Sequence, residues 1–147
     1  MWKYQSNGSD ISLHDKVIDE IIVDGRNAKF IFEDGFDVHF PNSNIVKITT
    51  QSQLHLENFS FMNCELSPIT TLQQPFYEEV KTVEPLLKFK GIEVLNLDFQ
   101  YSKNQYLLKG NTVFNYKKDG EAFLMVEFSC EKMVYCWNDY SEQYTLE

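Results

Sequence analysis

Basic residues, cysteine, glycine and histidine are all scarce in this chain, and each shortage narrows what it can do. Lys and Arg number 13 against 22 Asp and Glu, a formal net charge of −9. A phosphate backbone is repelled by most of such a surface, which argues against nucleic-acid binding. The same charge suits a basic protein partner, although keeping a small protein soluble is sufficient reason for it. Cys64, Cys130 and Cys136 are an odd set without Cys-x-x-Cys spacing, so reduced thiols are expected in place of a disulfide framework or zinc knuckle. Six glycines form neither a phosphate loop nor a Gly-x-Ser-x-Gly elbow. No apolar run is long enough to cross a bilayer, and Met1 to Gly8 lacks the core of a signal peptide, so the expected location is the cytoplasm, away from membranes.

With only His14, His39 and His55 available, metal or acid–base chemistry has few carriers. Asp37 and His39 fall two residues apart on one strand face and could begin a metal site. Zinc needs three or four ligands, however, and a solvated strand face explains the pair equally well. Carboxylate pairs such as Asp19-Glu20, Glu33-Asp34 and Glu78-Glu79 are too common to single one out, because a glycosidase pair is defined by separation in space. No catalytic residue and no cofactor are assigned, and the expectation is a non-enzymatic protein.

What the chain has in quantity is aromatic and β-branched side chains, including 12 Phe and 8 Tyr in 147 residues. That length suits one domain with a real core, and the composition favours an all-β body. Residues 92–137 read as four successive strands. A three-residue loop at Lys118-Asp119-Gly120, with Gly120 at positive φ, sets Tyr116 against Ala122, Phe114 against Leu124 and Thr112 against Val126. Glu33-Asp34-Gly35 obeys the same rule, aligning Phe32 with Phe36, Phe30 with Val38 and Ala28 with Phe40, while Lys29, Ile31, Asp37 and His39 share the other face. Val17 to Val23 forms a strand that turns at Asp24-Gly25-Arg26-Asn27, pairing Ile21 with Phe30 and Val23 with Ala28. These strands make an antiparallel meander ended by Pro41.

Ile45 to Thr49 is a further strand. Beyond it Leu54, Phe59, Cys64 and Ile69 recur every five residues, as in a pentapeptide-repeat coil, but too few repeats are present to stack. A strand from Gln53 to Glu65 kinked at Glu57-Asn58 explains the same residues. The one expected helix is short, near residues 75–84, with Phe76, Val80 and Val83 on one stripe. Residues 1–12 read as a loose arm and 139–147 as an acidic, solvated tail. Phe123 and Met125 give the strand at 121–128 a second apolar face, so a sandwich or closed barrel is expected.

The run Ser12-Leu13-His14-Asp15-Lys16-Val17-Ile18, followed by Phe30-Ile31-Phe32-Glu33-Asp34-Gly35-Phe36, resembles the opening of small uncharacterised bacterial β-rich proteins. Some of these are of the immunity type, encoded beside toxins. The resemblance covers about the first quarter of the chain and transfers no catalytic residue. Together with the charge it implies an acidic module that neutralises a basic protein toxin. Asp34, Asp37, Tyr101, Tyr135, Trp137, Asp139 and Tyr140 are the candidate contact residues, although aromatics that fill a β core and its rims are the plainer account. The alternative is a small-molecule carrier, a barrel around an aromatic-lined cavity.

Overall fold

The computed structural model describes residues 1–68, 78–88, 91–99, 104–112 and 122–146. Among them run β1 (Tyr4–Ser6), β2 (Ile11–Ser12), β3 (Val17–Ile18), β4 (Glu20–Asp24), β5 (Asn27–Phe32), β6 (Asp37–His39), β7 (Ile45–Thr49) and β8 (Ser52–Glu57). They continue with β9 (Ser60–Pro68), β10 (Glu78–Val80), β11 (Ile92–Phe99), β12 (Gln105–Thr112), β13 (Ala122–Ser129), β14 (Lys132–Trp137) and β15 (Tyr140–Leu146). The protein is all-β and every pairing is antiparallel. Over the described residues three sheets form, ordered β1-β14-β8-β5-β4, β10-β9-β13-β12-β11-β3 and β15-β7-β6-β2, and none of them closes into a barrel. No described helix is long and apolar enough to cross a membrane.

Period-two alternation decides which side chains go inside. Ala28, Phe30 and Phe32 of β5 are buried, and Leu54 and Leu56 of β8 lie directly opposite Phe30 and Ala28. From the six-stranded sheet, Cys64, Leu66, Leu108, Leu124, Val126 and Phe128 point into the same core. The two large sheets meet where Phe30 of β5 packs edge-on against Phe128 of β13, ring centroids 6.0 Å apart. Each such fully buried side chain is worth roughly 1.5–3 kcal/mol relative to an exposed one.

The hairpin at Gly25 forms as its sequence dictates, with Ile21 opposite Phe30 and Val23 opposite Ala28. The hairpin expected at Glu33-Asp34-Gly35 does not. Phe30, Phe32, Phe36 and Val38 are buried as anticipated, but β5 pairs with β4 and β8 while β6 pairs with β2 and β7 in another sheet. The loop is thus a corner between sheets, held by Thr49. The Phe36 N–H donates to Thr49 Oγ1 (3.0 Å), the Thr49 N–H donates to the Phe36 carbonyl (2.9 Å), and the buried Thr49 and Ser52 hydroxyls bond at 2.6 Å. Gly35 has φ 75°, and a Cβ there would lie 2.1 Å from the Thr49 carbonyl oxygen.

Other expectations are corrected in the same way. The strand expected over Val17 to Val23 breaks at Asp19, so that β3 pairs with β11 and β4 with β5. Residues 53–65 are neither a coil nor one kinked strand. Asn58, at φ 52°, turns the chain from β8 in one sheet to β9 in another. The bulge lies further on, where the register slips between Glu127 and Phe128 opposite Asn63 and Phe61. Glu78–Val80, expected in a helix, is an edge strand on β9, because backbone pairing outcompetes a helix of two or three turns that is marginal alone. The loose arm and solvated tail are instead strands, β1 on β14 and β15 on β7. The expected four-strand meander keeps only β11, β12 and β13 together, since β14 crosses to the five-stranded sheet.

The Lys118-Asp119-Gly120 loop, with Tyr116 and Phe114, lies outside the described residues. Its predicted register does not hold: Leu124 faces Gly110 and Val126 faces Leu108, and the Ala122 N–H donates to Thr112 Oγ1 at 2.8 Å. The pairing is four residues removed from the expected one. An even shift leaves every side chain on its expected face, so hydrophobic pattern alone does not discriminate between the two.

Two glycines of similar φ separate backbone strain from crowding, because Gly25 (φ 62°) has no atom within 4 Å of its would-be Cβ. Gly25→Ala is expected to cost about 1–2 kcal/mol, the left-handed penalty alone. Gly35→Ala is expected to cost at least about 2 kcal/mol more, through collision with Thr49. Urea unfolding of both variants checks the difference, and equal losses would remove Thr49 as the cause.

Candidate functional site

Cross-strand partners share a face, so the register of the six-stranded sheet specifies its outer surface. One row runs Glu79, Glu65, Met125, Lys109, Asn96 across β10, β9, β13, β12 and β11. A second runs Ser67, Phe123, Asn111, Glu93, Val17, and a third runs Asn63, Glu127, Leu107, Asp98. The centre is apolar, with Phe123, Met125 and Leu107 half-buried and Met62, at the bulge, 41% exposed. Around it stand the carboxylates of Glu65, Glu79, Glu93, Asp98 and Glu127.

Among the described residues two ammonium groups oppose them on this face: Lys109 within the sheet and Lys81, whose Nζ lies 2.6 Å from Glu79 Oε1. Glu65 and Glu79 are direct cross-strand partners, a like-charge pair that costs the fold. The Asn63 Oδ1 atom is buried without a hydrogen-bond partner. The face therefore combines half-buried apolar surface with acceptors in excess of donors. It can receive cationic side chains around an apolar contact.

The residues singled out from the sequence fall elsewhere. Trp137 and Tyr135 are buried, at 5% and 7% exposure, so neither ring lies on the outer surface of its sheet. Trp137 is stacked with Tyr4 (5.5 Å) and edge-on to Phe36 (5.8 Å), with Tyr140 6.4 Å away. Tyr140 also packs on Phe40, and Lys47 Nζ lies 5.4 Å from its ring. This aromatic cluster joins the five- and four-stranded sheets, with Asp139 exposed beside it and bridged to Lys3 at 3.2 Å. Asp34 is exposed at the Gly35 corner. Asp37 shares a face of β6 with His39 but is bridged to Lys16 at 2.9 Å. Tyr101 lies outside the described residues.

Among the described residues no group of three or more His, Cys, Asp or Glu side chains could hold a metal ion. His14 bonds the Leu95 carbonyl at 2.8 Å, and His55 bonds Gln53 Oε1 at 2.8 Å while Trp2 packs edge-on against its ring. Burial, and then the nearby Lys29, hold the His55 pKa below the usual 6.5. Its neutral form is therefore favoured in the fold, and the associated stability is lost as pH falls from 6.5 through the lowered pKa. Sequence reasoning recognised Phe123 and Met125 as a second apolar face but missed its acidic rim, because the carboxylates come from four strands that only the register brings together. Comparison with protein-family models, with curated proteins and with solved structures yields no match.

All three thiols are buried. Burial, and then Glu65, push Cys64 up to about 12, and burial pushes Cys130 up to about 11, both from 9.0. Below pH 9 these groups are protonated in folded and unfolded chain alike, whereas above it the unfolded chain sheds protons the fold retains. Stability is thus expected to fall as pH rises from about 9 to about 12. Denaturation curves between pH 8 and pH 11 check this, and Cys64→Ala is expected to flatten the decline measured against its own value at pH 8. An unchanged slope in that variant would rule out Cys64 as a contributor.

Proposed function

We propose that this protein is a non-enzymatic binding module whose outer six-stranded face engages a basic protein surface. The observation that carries the reading is the ring of Glu65, Glu79, Glu93, Asp98 and Glu127 around Met62, Leu107, Phe123 and Met125. An apolar centre with a charged rim is the anatomy of a protein interface. The excess of carboxylates selects for Lys- and Arg-rich partners and speeds the encounter. Opposing Glu65 to Glu79 sacrifices stability for a role other than folding, as binding surfaces commonly do. A cationic side chain inserted between the two would relieve that repulsion.

An immunity protein that covers a basic toxin fits this chemistry, and the resemblance of residues 12–18 and 30–36 to such proteins points the same way. A cytoplasmic setting accords with protonated, unpaired thiols. Against the carrier alternative, none of the sheets closes into a barrel over the described residues.

Immobilised protein exposed to an extract of its own organism is expected to retain a basic protein at low salt and release it as salt is raised. Glu65→Lys with Glu127→Lys should weaken that binding at least about tenfold through the association rate. Glu20→Lys with Asp24→Lys, on β4 of the other large sheet, should leave it within about twofold. Equal loss in both pairs, or retention indifferent to salt, contradicts the reading. In isolation, Glu65→Lys should raise stability by roughly 0.2–1 kcal/mol by turning the like-charge pair into an opposite one. Chemical denaturation measures that gain.

A further inference from the structure

At the end of the core where the chain leaves β13 for β14, a cleft of about 590 Å³ opens between the two large sheets. That volume lies in the range of small-molecule sites. Tyr106 and Leu97 line one side, and Met133 and Tyr135 the other. Both tyrosine rings are fixed before anything binds. Tyr106 stacks on Phe128 at 5.5 Å with an interplanar angle of 18°, and Tyr135 meets Phe36 edge-on at 5.7 Å. Gly8 closes over Tyr135 so tightly that a Cβ there would lie 2.6 Å from its ring.

The polar groups at the cleft restrict its occupant. The buried Tyr135 hydroxyl donates to Met133 Sδ at 3.7 Å, and a thioether is a weak acceptor. A firmer acceptor would satisfy this donor better. Burial raises the Tyr135 hydroxyl pKa above its usual 10, so at neutral pH it donates a hydrogen bond and does not act as a base. Among the described residues the charged ones lining the cleft, Glu131 and Lys132, cancel one another in a chain of net charge −9. Neither an anion nor a cation is favoured.

We propose that this cleft binds a small, uncharged ring compound carrying one hydrogen-bond acceptor, with the ring between Tyr106 and Met133 and the acceptor on the Tyr135 hydroxyl. The site is separate from the acidic face, because Tyr106 and Leu97 belong to the inner side of the same sheet.

The test is a chemical-shift titration of the full chain with acetophenone and with α-methylstyrene, in which a methylene replaces the carbonyl oxygen. Acetophenone is expected to shift the Met133 methyl and Tyr106 ring signals saturably and to bind about three- to tenfold more tightly than its isostere, the effect of one net hydrogen bond. Tyr135→Phe, which keeps the ring, should bring the two compounds within about twofold of one another. Lys132→Ala should alter neither affinity by more than about twofold. Absence of saturable shifts, equal affinities in the native chain, or a preference that survives in Tyr135→Phe each overturns the proposal. Loss of binding in Lys132→Ala overturns the uncharged class of ligand.

Discussion

The contact on which the fold depends is the ring packing around Phe128. Phe30 from the five-stranded sheet, Tyr106 from the adjacent strand and Phe59 from the corner after β8 all touch it, at 6.0, 5.5 and 5.5 Å. Those few rings fix the position of the two large sheets. With inward faces committed to one another, the outer face of the six-stranded sheet stays outside the core, and the cleft beside Tyr106 is left where β14 departs. Both proposed sites are thus consequences of the same packing.

The corners do the remaining work. Gly35 and Asn58 take left-handed backbone where the chain changes sheets, and Asn104 does so at the start of β12. The Thr49 and Ser52 hydroxyls satisfy buried polar groups at the Gly35 corner, where an unpaired donor would cost about 1–3 kcal/mol. A chain with few glycines spends Gly35 and Gly8 where another side chain would collide, with Thr49 in one case and with Tyr135 in the other.

The two proposed sites differ in what each asks of electrostatics. On the outer face, carboxylates gathered from several strands keep water and accept small costs to stability. In the cleft, Glu131 and Lys132 cancel, and the thiol of Cys130 and the phenol of Tyr135 stay protonated through burial. One protein can therefore present a charged surface outside and a neutral recess inside without conflict, because the core separates them.

Which face each side chain takes was legible from the chain alone. Phe30, Phe32, Phe36, Val38, Leu124 and Val126 are inside as their alternation requires, because each occupies one parity of its strand. The local hairpin at Gly25 was equally legible, since two adjacent residues determine it. Strand partnership was decided only by tertiary structure. Any even shift preserves the buried set, so alternation could not tell Leu124 opposite Gly110 from Leu124 opposite Phe114, nor a hairpin at Gly35 from a corner that needs Thr49. The acidic face belongs to this second category: Glu65, Glu93, Asp98 and Glu127 are separated along the chain, and only pairing places them side by side.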